Sequence, residues 1–462
     1  MKRLDPHGEV HYLVRPRFKN AMNGIGCIDK VITLPIENLL SPLMQTDFKL
    51  DQSLNVLDGF YEDLIGEKYD QIINLSFSPA SSFLVKSVSS ANTKVLGYSR
   101  HSDGYVHLTD DVSRYFWAQV GPGFPNRVHL VDLMGSLAGV DFTLEDFREP
   151  EGINLSRTIA ERYYVLHVGA SEGHKRVGAH NWANMIQAYC KLDPRMKWVL
   201  IGSKEEEEQS TYIEAIVGHD VIVNRVGTTK IEEVFALLKH SEGLIGGDSV
   251  AMHMVPFVNQ RAFCVSAGQV KFWETGPITK GSAVCEMKSF GGFEAEIVAQ
   301  RIAAWSQGEM SQLHCAVDGL PRYRLAVTDT PSQEFAWNLV QAIYMGGAFP
   351  MTSEYEFYKG CLRLFEANAV AIQNLNKRHQ LQRTFLTSLL DRVDEIFLAV
   401  VSQVPSLLPF VRWYQAEKTR IQPGTFDQIA QDTAVIHQVF SGLLKKYLLE
   451  EDVRKAERDG NV

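Results

Sequence analysis

The stretch that decides the fold is GLIGGDSVAMH, Gly243 to His253. An apolar run meets two glycines; an acid, a hydroxyl and, five residues after the acid, a histidine follow. The pattern predicts a strand end, a tight turn and a helix start, where α/β proteins hold phosphorylated ligands. Val250 is expected to open the helix, with Ser249 near its N-cap and the Ser249 hydroxyl bonded to the orphan N–H groups. Asp248 would orient the turn or bond a sugar. His253 would lie one helical turn in, aimed at the same mouth.

Around this stretch runs a series of near-continuous apolar segments: YYVLHVG (163–169), KWVLIGS (197–203), VIVNRVG (221–227) and RAFCVSAG (261–268). Such runs suit strands buried on both faces of a parallel sheet. Helix-length segments separate them, and TKIEEVFALLKH, from Thr229, reads as a helix opened by a Thr229/Glu232 capping box. A second series lies upstream. VHYLVRP (10–16), KVITLP (30–35), QIINLSF (71–77) and TKVLGYS (93–99) are short, β-branched and bounded by Pro, Gly or Asn. The linker REPEGINLSR (148–157) joins the series. The expected architecture is α/β, a pair of doubly wound Rossmann-like domains at 1–150 and 158–345.

From about Thr352 the period changes. Tyr358, Leu362, Phe365, Ala369, Ile372 and Leu375 recur at helical spacing, as do Leu381, Phe385, Leu389, Val393, Ile396 and Val400. Thr425 and Gln428 form a further capping box, ahead of a helix carrying Ile429, Ile436, Phe440, Leu443 and Tyr447. Residues 350–462 are read as an all-helical extension whose stripes pack on each other or on the sheet domains and offer protein contacts.

Composition narrows the classes. The 462 residues carry a net charge of -9 and 45% hydrophobic residues. That supports real cores and argues against a nucleic-acid partner, which would call for a basic stripe. Six scattered cysteines without a CxxC give no zinc or disulfide pattern. They fit reduced thiols in a cytoplasm. No segment reaches the roughly 20 apolar residues of a spanning helix, and the N-terminus has no signal-peptide core.

Three further segments bear on chemistry. LHVGASEGHK (166–175) ends a strand at Gly169 and places Ala170, Ser171 and Lys175 after it. Its N–H groups can cradle phosphate and its lysine adds a point charge; alone it is equally an ordinary βα turn. IGSKEEEE (201–208) holds acids that favour a helix N-terminus, and one of them could grip ribose hydroxyls. KFWETGP (271–277) reads as a loop that walls a cleft.

In this order and spacing the segments resemble the ADP-heptose:lipopolysaccharide heptosyltransferase family, glycosyltransferase family nine. Gly169, Ala170, Ser171 and Lys175 match its GAS-type turn and lysine, and Gly202 and Glu206 its GxxxE strand end. GTTKI from Gly227, with Thr229, loosely matches its next turn. Asp248, Ser249 and His253 match its Asp-Ser/Thr-Gly-x-x-His, and Gly276-Pro277 its Gly-Pro loop. VHYLVRPRFKNAMNGIGCIDKVITLP, KYDQIINL and NRVHLVDLMGSLAGV match earlier elements, so the resemblance covers about residues 1–345.

The resemblance implies a GT-B fold and inverting sugar transfer without cofactor or nucleotide-bound metal. The nucleotide-diphosphate sugar, ADP-heptose-like, would sit on the C-terminal domain. The acceptor, a surface or lipid-linked glycan or a protein, would sit on the N-terminal one. Ser171 and Lys175 would meet the donor phosphates, Glu206 the ribose, and Asp248, Ser249 and His253 the pyrophosphate and sugar. Two departures stand out. The family's glycine after Asp-Ser is Val250, which crowds the phosphate approach. The family's first strand and its loop aspartate, the presumed base, have no counterpart, since MKRLDP reads as the end of the first helix. A doubly wound half without its central strand is expected to expose two strand edges. The catalytic base is therefore unassigned, and three readings stand: a transferase, an inactive relative kept as a binding or scaffold protein, and a sugar-nucleotide epimerase of similar shape. The expected location is cytoplasmic, with peripheral association at the inner membrane.

Overall fold

A computed structural model describes residues 1–47, 49–170, 172–268, 270–324, 331–352 and 354–458. Its strands are β1 (His11–Val14), β2 (Lys30–Thr33), β3 (Gln71–Asn74), β4 (Lys94–Arg100), β5 (Val106–Leu108), β6 (Tyr163–His167), β7 (Lys197–Ile201), β8 (Ile222–Asn224), β9 (Leu244–Gly246), β10 (Ala262–Ala267), β11 (Ala283–Met287), β12 (His314–Ala316) and β13 (Tyr323–Arg324). Every segment read as a strand contains one. β5, β11, β12 and β13 are additional.

The apolar runs from 163 onward build one eight-stranded sheet, ordered β13-β12-β11-β10-β9-β6-β7-β8. From β11 to β8 the pairing is parallel; β12 and β13 add antiparallel at one edge. Both faces are covered. Trp182, Trp198 and Trp305 fill one side, and Leu238, Met252 and Phe272 the other, which is why these strands carry no polar alternation. The chain winds outward through β7 and β8, returns, and winds the other way through β9, β10 and β11. The reversal falls between β6 and β9, so their carboxyl ends form the topological switch point, where open α/β sheets bind ligands.

The upstream strands form two small sheets, β1-β2 and β3-β4-β5. β1 and β2 pair only with each other, and β3 is an edge strand of its sheet. The chain divides into two compact units. One holds 1–57, 127–135 and the stretch from 140 that forms the large sheet; the other holds 58–126, 136–139 and the C-terminal helices. The units are thus assembled from separated stretches, where the sequence reading used continuous ones.

In the second unit the helices Pro331–Met345, Tyr355–Asn376, Arg383–Gln403, Leu408–Lys418 and Phe426–Arg458 share one apolar core around Phe357, Phe397, Phe410, Phe440 and Tyr447. The predicted stripes are partly offset. Leu362, Phe385, Ile396 and Ile429 are exposed, while Cys361, Leu364, Leu386, Phe397 and Ala430 are buried. The Thr425/Gln428 capping box forms: the Gln428 N–H donates to Thr425 Oγ1 at 3.3 Å, and the Thr425 N–H donates to Gln428 Oε1 at 2.9 Å. Two helices tie this bundle to the helix Asp111–Gln119: Leu408–Lys418 through the buried Arg114–Glu417 pair (3.0 Å), and Pro331–Met345 through the Tyr115–Tyr344 ring contact. Among the described residues no helix is long and apolar enough to cross a membrane.

A polar chain crosses this apolar bundle. Asn368 Nδ2 donates to the His437 carbonyl at 2.8 Å, which leaves Asn368 Oδ1 facing His437 Nδ1 at 2.7 Å and fixes a proton on Nδ1. His437 Nε2 faces the Tyr414 hydroxyl at 3.2 Å, Tyr414 donates to Asp394 Oδ1 at 2.9 Å, and Lys418 pairs with Asp394. Burial pulls the His437 imidazole down to about 4 from 6.5, against the opposing Asp394 charge. Its folded pKa lies below the unfolded value, so its contribution to stability is full above about pH 6.5 and is lost as pH falls toward 4. The loss is up to about 3 kcal/mol for this one group. We predict that His437→Gln flattens the acid dependence of urea unfolding between pH 7 and pH 4 by about one proton. An unchanged slope would show that His437 does not titrate in this window.

Candidate functional site

Three of the four sequence segments converge at the switch point. After β6 the chain runs through Gly169 and Ala170 to a short 3-10 turn, Gly173–Lys175; Ser171 lies outside the described residues. After β9 it runs through Gly247 and Asp248 into the helix Val250–Met254. The two turns touch, since a Cβ on Gly247 would stand 3.1 Å from the Lys175 carbonyl. Lys175 Nζ donates to Asp248 Oδ2 at 3.0 Å, an ion pair with side chains 24% and 10% exposed. Asp248, expected to orient the turn or bond a sugar, is the partner of the lysine.

The third segment enters from β7. Glu206 is buried at the end of the turn Lys204–Glu206, and its Oε2 accepts the Ser203 N–H at 2.7 Å. Its carboxylate lies across the ends of two strands. A Cβ on Gly169 would stand 1.4 Å from Glu206 Oε1, and one on Gly202 would stand 2.5 Å from Oε2. Both positions must be glycine for the acid to occupy this place. The neighbouring acids 205, 207 and 208 are exposed at the start of the following helix, the ordinary helix-dipole arrangement.

Two expectations about helix starts need correction. Ser249 is the N-cap of Val250–Met254 by backbone geometry, yet its hydroxyl makes no capping bond. The Ser249 Oγ is buried without a hydrogen-bond partner among the described residues. The helix is five residues long, too short for much dipole, so Lys175 supplies most of the positive charge here. Val250 takes an ordinary helical place with its side chain 63% exposed. The helix after Thr229 begins one residue later than read. Lys230 is its N-cap and donates its N–H to Glu233 Oε2 at 2.8 Å. Thr229 stands outside the helix, its hydroxyl 3.5 Å from the Arg225 carbonyl, and Glu232 accepts from Asn23 Nδ2 at 3.1 Å.

His253 is exposed on the helix Val250–Met254. The protein packed around it lowers its pKa, opposed by the Asp248 charge. The fourth segment is held by a residue the sequence reading quoted but did not single out. His129 Nδ1 accepts the Val131 N–H at 3.1 Å, so Nε2 carries the proton and donates to the Gly276 carbonyl at 3.0 Å. Burial pulls His129 down to about 4, which keeps this neutral form. Tyr323 donates to the Pro277 carbonyl at 2.7 Å, so consecutive carbonyls of the Gly-Pro turn are clamped. His167, at the end of β6, was also missed. Burial lowers its pKa, against the Glu206 charge. Its only sequence signal was a lone imidazole interrupting an apolar run.

Residues 59–263 match the model of glycosyltransferase family 9 (heptosyltransferase). The matched stretch runs from before β3 into β10 and contains Lys175, Glu206, Asp248 and His253. It is shorter than the 1–345 over which the resemblance was read, and leaves the Gly276-Pro277 turn outside. No characterised protein sequence matches the chain. Among solved structures, the chain is similar to the Escherichia coli ADP-heptose LPS heptosyltransferase II (14% identity, TM-score 0.47, 67% of this chain and 92% of that one). It is also similar to E. coli heptosyltransferase WaaC with ADP (16%, 0.47, 66% and 92%). A family 9 glycosyl transferase from Veillonella parvula gives 14%, 0.46, 66% and 90%.

The working edge of the large sheet depends on Glu206 fitting against a bare Gly169. Gly169→Ala forces the carboxylate out, and overpacking of this kind costs about 1–3 kcal/mol. We predict a lower melting temperature for Gly169→Ala, and recovery of most of the loss in the double variant Gly169→Ala/Glu206→Ala. Additive losses in the double variant would show that the two side chains do not share this space.

Proposed function

We propose that the chain transfers a sugar from a nucleotide-diphosphate donor, ADP-heptose-like, to a hydroxyl of a glycan, lipid-linked glycan or protein acceptor, with inversion at the anomeric carbon. The observation that carries the reading is the Lys175–Asp248 pair at the switch point of the large sheet. A cation stands there at the carboxyl ends of adjacent strands, in the same edge as the buried Glu206 and the Ser249 hydroxyl, which has no partner among the described residues.

In this reading Lys175 binds the diphosphate. Gly169, Ala170, Ser171 and Thr229 line its approach, Ser249 bonds a phosphate oxygen, and Glu206 takes the ribose hydroxyls. Asp248 and His253 meet the sugar. The acceptor oxygen attacks the anomeric carbon, and the bond to the diphosphate oxygen breaks with its electron pair. Lys175 then stabilises the charge that develops on the leaving nucleotide. The acceptor proton passes to a base that we leave unassigned. The donor stretch is 158–345, with the acceptor on the 1–150 side and the helical extension at 350–462. The reaction is placed in the cytoplasm, peripherally at the inner membrane.

The ion pair gives the reading a test with opposite signs. Lys175→Ala should weaken ADP binding by about 1.5–3 kcal/mol, the range for a hydrogen bond to a charged group, and should weaken adenosine binding less. Asp248→Asn removes the anion that competes for Lys175, and should tighten binding of ADP. Calorimetric titration decides. Equal losses for ADP and adenosine in Lys175→Ala would show that Lys175 does not read the phosphates. No binding of any nucleoside diphosphate at millimolar concentration would overturn the donor-site reading.

A further inference from the structure

In the second unit, a pocket of about 400 Å³ opens where the helices Arg383–Gln403 and Leu408–Lys418 meet the helix Asp111–Gln119. Trp117, Asp394, Leu398, Arg412, Tyr414 and Lys418 are in its wall. The other cation in its wall is already matched: Lys418 pairs with Asp394. Arg412 differs. Its guanidinium packs over the rings of Trp117 (5.0 Å) and Phe124 (4.9 Å). Among the described residues it has no carboxylate partner and donates no hydrogen bond.

A half-buried guanidinium stacked between two rings has lost much of its water, which pulls its pKa down. Its planar fork of donors is oriented and unmatched, a form suited to two oxygens of one anion. With Arg412, Lys418 and Asp394 the wall carries two positive charges against one negative, in a chain of net charge -9. Two cations facing one space favour a dianion over a single carboxylate. The volume is within the range of small-molecule sites.

We propose that this pocket binds the phosphate group of a small soluble molecule, with Arg412 as a bidentate donor, Lys418 as the second cation, and Trp117 and Leu398 against the rest of the ligand. Asp394 acts as the internal competitor, holding Lys418 until the anion arrives. The site is separate in sequence and in unit from the sugar-donor residues, and does not depend on them.

The test titrates the full chain with inorganic phosphate, against chloride at equal ionic strength, and follows the tryptophan signals by NMR. Wild type should saturate with a shift at Trp117. Arg412→Gln should weaken binding roughly tenfold or more, the effect of losing a charged hydrogen-bond partner. Asp394→Asn should tighten it by freeing Lys418, and Lys175→Ala should leave it unchanged. A purely structural Arg412, clamping two rings, would predict none of the anion dependence. If Arg412→Gln does not fold, Arg412→Lys, which keeps the charge and loses the fork, takes its place beside Asp394→Asn. Absence of saturable phosphate binding, unaltered affinity in the Arg412 variant, or weaker binding in Asp394→Asn would each overturn the assignment. So would capture of phosphatidylglycerol vesicles without a response to free phosphate, which would move the anion to a lipid headgroup.

Discussion

One steric constraint governs the large sheet's working edge: a buried carboxylate lies across two strand ends, where any side chain larger than hydrogen would collide with it. Glu206 reaches this place because Gly169 and Gly202 have no Cβ. With the acid fixed there, the chain after β6 must turn away at once, which brings Lys175 against the turn that follows β9. The Lys175–Asp248 pair then closes the gap between the two turns. The edge is therefore preformed, with an acid and a matched ion pair held where the sheet's winding reverses.

The second unit shows a different economy. Its helices enclose an apolar core, yet Asn368, His437, Tyr414, Asp394 and Lys418 run through or beside it as a connected polar chain. Burying such groups is unfavourable unless each finds its partner. The chain draws on four helices at once, so it fixes how they pack relative to one another. The same helix that carries Tyr414 and Lys418 also carries Arg412 and Glu417. The bundle's polar core, its attachment through Arg114 and the wall of the phosphate pocket are thus one structural element.

Much of this was legible in the sequence. The strands from 163 onward were readable because burial on both faces leaves unbroken apolar runs. The turns at Gly169, Gly202 and Gly247 were readable because close approach requires small residues. β5 and β12, at three residues each, are too short to show a period. The helical stripes were offset for a physical reason. Where helices approach closely, small residues such as Gly360, Ala367 and Ala371 carry the buried face, and a count of large apolar residues passes over them. A Cβ at Gly360 would meet Leu407 Cδ1 at 2.3 Å. The Lys175–Asp248 pair was not legible, because its partners stand 73 positions apart. The same holds for His129, whose partner Gly276 is 147 positions away.

The central claim is that the carboxyl edge of the large sheet, at the reversal between β6 and β9, is a nucleotide-diphosphate site. A crystal structure of the chain with ADP tests it most directly. The account predicts the diphosphate within hydrogen-bond reach of Lys175 Nζ, the ribose hydroxyls at Glu206, and Asp248 drawn away from its present partner. Density for ADP at any other place, with the Lys175–Asp248 pair intact and this edge empty, would contradict it.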